Sequence, residues 1–127
     1  MDDSEYGAAI GANSAIAKSN YGVAIGTSAT VKDADNAVAI GVSSSAAVKD
    51  GVAIGAFSKA DTAAGVSGYD PSTKAASTDT SAAWRSTVSA ASVGDKTKGY
   101  TRQITGVAAG SEDTDAVNVA QLKNCLL

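Results

Sequence analysis

The chain has 127 residues with a formal net charge of −3, and 67 of them are Ala, Gly, Ser or Thr. Leu, Ile, Val and Phe together number only 22, too few to fill a roughly spherical core. The absence of histidine removes Ser-His-Asp and Cys-His catalysis and His-ligated metal, the single cysteine removes an intrachain disulfide, and a pI near 4.7 argues against a nucleic-acid partner.

Residues 1–5, Met-Asp-Asp-Ser-Glu, are not a signal peptide. No apolar run approaches the roughly 18 residues that span a bilayer. If the parent protein is exported, the chain is therefore expected to be a piece of it. From residue 9 onward a repeat dominates. Ala-Ile-Gly recurs as Ala9-Ile10-Gly11, Ala24-Ile25-Gly26, Ala39-Ile40-Gly41 and Ala53-Ile54-Gly55, with glycines 15, 15 and 14 residues apart. Val23, Val38 and Val52 precede three of the copies, and Val66-Ser67-Gly68 reads as a worn fifth copy. Each unit predicts two short strands. Val-Ala-Ile is one, and Ala15-Ile16-Ala17, Ala29-Thr30-Val31 and Ala46-Ala47-Val48 supply the other. Glycine turns the chain between them, and a polar corner such as Lys32-Asp33 or Lys49-Asp50 closes the unit.

A period of 14–15 residues holds two strands and two turns, which predicts a flattened, two-sided parallel solenoid with coils stacked at about 4.8 Å. Ile10, Ile25, Ile40 and Ile54 form one ladder, and Ala9, Ala24, Ala39 and Ala53 form another on the opposite face. The Val/Ile face is assigned to the interior. The alanine face is assigned to close contact with neighbouring copies, because a roll this thin encloses little apolar area by itself.

After Gly65 the repeat decays. Residues 69–82 hold the only proline and read as a loop, and Trp84 reads as an apolar plug for the open end of the roll. Ser92-Val93-Gly94-Asp95 echoes the strand-glycine ending of the repeat. Arg102 to Gly110 is strand-like and broken by glycines. Ser111 to Asp115 looks like a helix start with a cap and first-turn acids, and Val119, Leu122 and Leu126 follow at coiled-coil spacing.

These residues resemble the trimeric autotransporter adhesins of Gram-negative bacteria. Asn36-Ala37-Val38-Ala39-Ile40-Gly41-Val42-Ser43-Ser44 matches the YadA-like head repeat except at Ala37. Ser92 to Asp95, Thr101 to Gly110 and Thr114 to Leu122 look like that family's neck. The resemblance implies a mainly β protein, a left-handed parallel β-roll head over residues 1–91. A neck over 92–127 would lead into a trimeric coiled coil. It implies a homotrimer on the bacterial outer membrane, held there by a C-terminal anchor that this sequence lacks, with no cofactor, metal or enzymatic activity. Host matrix proteins such as collagen, fibronectin or laminin would be the partners, or another copy of the adhesin. Cys125-Leu126-Leu127 departs from the usual neck continuation.

The implied roles fall on named residues. Ile10, Gly11, Ile25, Gly26, Ile40, Gly41, Ile54 and Gly55 carry the structural repeat. Asn36, Val38, Ala39, Ile40, Gly41 and Ser44 centre a ligand-binding lateral surface. Arg102, Gln103, Ile104, Val119, Leu122 and Leu126 make the neck and trimer seam. The rival readings are a hexapeptide-repeat acyltransferase, which wants a histidine base and another period, and an ice-binding solenoid, which wants threonine ladders. A structural trimeric spacer or fibre segment without its own ligand is the remaining alternative.

Overall fold

Three-residue strands separated by tight corners cannot bury a face within one unit, so each unit lies on the next. The computed structural model describes residues 1–125. Eight strands come first: β1 (Ala8–Ile10), β2 (Ala15–Ala17), β3 (Val23–Ile25), β4 (Thr30–Lys32), β5 (Val38–Ile40), β6 (Ser45–Ala46), β7 (Val52–Ile54) and β8 (Lys59–Ala60). Then follow β9 (Tyr69–Asp70), β10 (Ala75–Ala76), β11 (Ala91–Ser92) and one helix, α1 (Val119–Lys123). The odd strands form a parallel sheet in the order β1-β3-β5-β7-β11, and the even strands form a second one, β2-β4-β6-β8. Register is strict. Val23 pairs with Val38 and Val38 with Val52, and the alanine and isoleucine columns follow. The fold is a mainly β solenoid of about four turns.

The corners impose a backbone that most residues resist. Gly11, Gly26, Gly41 and Gly55 have φ between +102° and +130°. A Cβ on Gly26 would lie 2.7 Å from the backbone of Gly41 above it, so glycine is required by conformation and by spacing together.

The two faces of the first sheet are the reverse of the sequence expectation. Ala24, Ala39 and Ala53 are fully buried between the sheets, opposite Ile16, Val31, Ala46 and Ala60. The isoleucines point outward and are 60, 36, 39 and 49% exposed for Ile10, Ile25, Ile40 and Ile54. The period-2 alternation is as read, but the side is not. A turn this short brings the sheets too close for two large side chains, so one sheet contributes only methyl groups. Even the residue before the strand is trimmed, since a Cβ on Gly22 would sit 3.2 Å from Val31 Cγ1.

The fifth coil also differs from expectation. Val66-Ser67-Gly68 is not its strand; β11 is, paired with Val52 and Ala53. Residues 61–90 are an excursion between the fourth and fifth coils, with the short antiparallel pair β9–β10 in it. The 91/92 boundary drawn between head and neck falls inside β11. Trp84 belongs to the excursion, where its carbonyl accepts from Gly68 N at 2.7 Å, and it is 36% exposed.

Ala39→Asp should place a carboxylate without a partner between the sheets. A loss of several kcal/mol is expected, enough to abolish the cooperative β-sheet melt in circular dichroism. Unchanged melting would put Ala39 outside.

Candidate functional site

The solenoid presents two unlike surfaces. On the first sheet, the isoleucine column and the half-buried Val23, Val38 and Val52 make one continuous apolar stripe. Contiguous exposed apolar surface of this kind marks a contact with another molecule. On the second sheet the outward positions are small or polar. Ala15, Thr30, Ser45 and Lys59 stand in one register column.

Polar columns tie successive coils together at the corners. Glu5 N donates to Asn20 Oδ1, Asn20 N to Asp35 Oδ1, and Asn36 Nδ2 to Asp50 Oδ1, all within 3.0 Å. Lys59 and Asp61, 4.0 Å apart, form the one ion pair among the described residues. The Lys/Asp corners are therefore mainly a solvated edge, and Asp35 and Asp50 serve the hydrogen-bond ladder.

The six residues expected to centre a ligand surface are not brought together on one face. Ala39 and Ser44 are fully buried. Ser44 Oγ donates to Gly41 O at 2.8 Å, closing its own corner. Gly41 packs under the backbone of Gly55. These three are architectural. Val38 and Ile40 lie on the apolar stripe, and Asn36 sits exposed at a corner with φ +61°.

Arg102, expected only as a neck residue, closes the far end of the solenoid. In the earlier coils a corner amide donates to the coil below: Ser28 N to Ala12 O, Ser43 N to Thr27 O, Phe57 N to Val42 O. The next acceptor is Ala56 O, and no corner amide reaches it, because the fifth coil cuts the corner between Ala90 and Gly94. Arg102 Nη2 donates to Ala56 O at 2.8 Å instead. Arg102 Nη1 donates to Val93 O at 2.7 Å and to Ser58 Oγ at 3.1 Å. Ser58 in turn donates to Ile54 O, whose counterparts Ile10 O, Ile25 O and Ile40 O accept from the glycine amides of the next coil. The guanidinium thus stands in for the missing backbone, and its position over Gly55 leaves no room for a Cβ. Arg102→Ala should lower stability by about 1–3 kcal/mol, read as a drop in melting temperature, with Arg102→Lys restoring only part of it.

Beyond Arg102 the chain leaves the sheets. Gln103 and Ile104 are exposed, and residues 102–110 form no strand, since no neighbouring strand is there to pair with them. Ser111–Asp115 is not a helix start. Asp115 Oδ2 accepts from Ser111 N and Glu112 N at 3.0 and 3.1 Å, which folds the segment into a turn. The helix begins at Val119, capped by Asn118, whose Oδ1 accepts from Gln121 N at 3.0 Å. Gln121 also grips Gly110 from both sides, accepting from its N and donating to its O. Val119 and Leu122 are exposed on a helix of five residues; Leu126 lies outside the described residues.

The Ser111 and Glu112 amides hold the Asp115 carboxyl below its ordinary value of 3.8. A lowered folded-state pKa stabilises above the ordinary value, and that contribution is lost as pH falls through the folded one. Protection of the Ser111 and Glu112 amides against hydrogen exchange, corrected for intrinsic rate, should hold from neutral pH down to about 4 and then decline. Asp115→Asn should lose it at every pH.

Against known proteins, the profile of the coiled stalk of trimeric autotransporter adhesins matches residues 103–125. The chain is 60% identical over 72 residues to the autotransporter adhesin BadA of Bartonella henselae, a match covering 57% of the chain. It is 56% identical over 68 residues to the trimeric autotransporter adhesin AtaA of Acinetobacter sp. (strain Tol 5), covering 52%. In each case it spans 2% of the relative's length. Its fold matches the crystal structure of the collagen-binding domain of the Yersinia adhesin YadA with a TM-score of 0.50 and 30% identity, over 95% of this chain and 69% of that one.

Proposed function

We propose, from the premise that this chain belongs to the trimeric autotransporter adhesins, that it is a head-and-neck segment of a bacterial surface adhesin. In this reading it trimerises through its isoleucine face and attaches to host matrix through its second sheet. The observation that carries it is the register of the isoleucine stripe. Four isoleucines and three half-buried valines line one face in two adjacent columns, on a chain whose interior holds little more than methyl groups. Three copies that turn these faces inward would supply the burial that a single roll lacks. α1 would continue into a three-stranded coiled coil, with Val119 and Leu122 on the seam. The role is binding and structural, not enzymatic.

With the apolar stripe at the axis, the second sheet and its corners, Asn36 among them, face outward. Ala15, Ala17, Thr30, Ser45 and Ala47 make that side shallow. A shallow, small-residue surface repeated along a rod suits an extended ligand such as a collagen triple helix, and weak contacts along it add through effective concentration. Fibronectin, laminin or a second trimer are the other occupants to test. A spacer without its own ligand is the second reading. It is favoured by the outward column Ala15, Thr30, Ser45, Lys59, which offers a different side chain in every coil.

Light scattering should give three times the chain mass, and Ile40→Asp should give monomer while keeping the β-sheet spectrum. A monomeric parent chain would overturn the assembly. Deleting residues 27–55 removes two coils in register. The shortened trimer should bind immobilised collagen about tenfold more weakly or worse. If the full trimer binds and the deletion costs nothing, the coils are a spacer.

A further inference from the structure

We propose that the groove between the fourth coil and the Asp95–Tyr100 hairpin binds a sugar residue carrying a carboxylate. The cavity is about 460 Å³, within the range of small-ligand sites. Its wall is held rigidly. Asp95 N donates to Tyr100 O, Tyr100 N donates back to Asp95 O, and Asp95 Oδ1 accepts from Thr97 N. Ser45 and Lys59 contribute from the second sheet, and no strand of the isoleucine face takes part.

A departure from the repeat and an outward lysine meet in this groove. The left-handed corner position is Asn13, Ser28 and Ser43 in three coils and Phe57, at φ +65°, in the fourth. Asparagine tolerates that backbone, and a small polar serine is less burdened there than a bulky ring, for which it is an outlier. Phe57 gains no burial in return, being half exposed. It meets Tyr100, also half exposed, with ring centroids 5.7 Å apart. Two positions on, the outward column, which differs in every coil, holds Lys59. A strained corner aromatic whose only ring partner is itself half exposed, beside a cavity, marks a candidate site.

The lining fixes the ligand class. The aromatic pair offers an apolar platform for the C–H face of a pyranose ring. Lys98 has no ion pair among the described residues, and Lys59 has only its distant one with Asp61, so two ammonium groups are available to a carboxylate. Asp95 is 7% exposed and keeps acceptor capacity for sugar hydroxyls, beside the Ser43 and Ser45 hydroxyls. A wholly apolar ligand would strand Asp95, and a polyanion would be repelled by it.

The test is amide chemical-shift titration of the whole chain with glucuronate, glucose and acetate. Glucuronate should give saturable shifts across Asp95–Tyr100 in the millimolar range, and glucose and acetate should bind about tenfold more weakly or worse. Phe57→Ser restores the residue of the coil below and should keep the fold while abolishing the shifts. Lys98→Gln should weaken binding about fivefold or more with melting unchanged. The acid presented as a free oligosaccharide and on a glycoprotein separates the two sources, and capture of the chain by either supports the site. No saturable response to glucuronate, an equal response to glucose or acetate, or full binding by folded Phe57→Ser overturns the proposal.

Discussion

The gap between the two sheets is the constraint from which the rest follows. It admits one large side chain per coil at most, from the second sheet, and the facing position must be alanine. Ile16 and Val31 take the larger share in the first two coils, and Ala46 and Ala60 replace them further on. A normal core draws its stability from large apolar side chains, and here most of them cannot enter. The isoleucines are therefore left outside in a regular column. The geometry that lets so small a chain form a roll also leaves it with an apolar face to cover.

Burial being scarce, backbone pairing does more of the work. Non-glycine residues in the left-handed region cost on the order of 1 kcal/mol each. Tyr21, Ser28, Asp33, Asn36, Ser43, Asp50 and Phe57 all accept that conformation, and each amide donates to a carbonyl of the preceding coil. The strain recurs in columns and so does its compensation. The stack is thus strongest where it is longest, and its weak point is the last coil, where no further amides arrive. Arg102 sits at that point. Its planar array of donors serves three acceptors set by the end of the roll, a task for which an ammonium group has too little reach and the wrong shape.

The sequence made the coil length, strand triplets and glycine corners legible because they repeat. It also showed the alternation of β3, β5 and β7. It did not show which face is inside, since alternation is symmetric and the usual rule sends the larger apolar residue inward. Sheet spacing reverses that rule here, and the total volume available to each coil was the signal that could have revealed it. The fifth coil was hidden for another reason. Thirty residues separate β8 from β11, and local periodicity cannot see across such an excursion; only the Ser92-Val93-Gly94 echo marked it. Residues 110–121 misled because their bonds are made by side chains to backbone, Asp115 to Ser111 and Gln121 to Gly110. Acids placed to cap a helix and acids placed to close a turn look alike in sequence. The groove beside Phe57 was missed although its signal was present: one aromatic in a column otherwise held by asparagine and serine.

A roll that puts alanine inside and isoleucine out has already divided its surface by function. The apolar side is costly to leave wet. The other side carries side chains that vary from coil to coil. Ala15, Thr30, Ser45 and Lys59 occupy equivalent places and differ in size and charge without disturbing the register. Apart from Lys32 and Lys59, the outward strand side chains there are short and have little rotamer freedom to lose. The outward side therefore differs coil by coil, and the fourth coil carries Phe57 and Lys59 where the earlier coils carry smaller side chains.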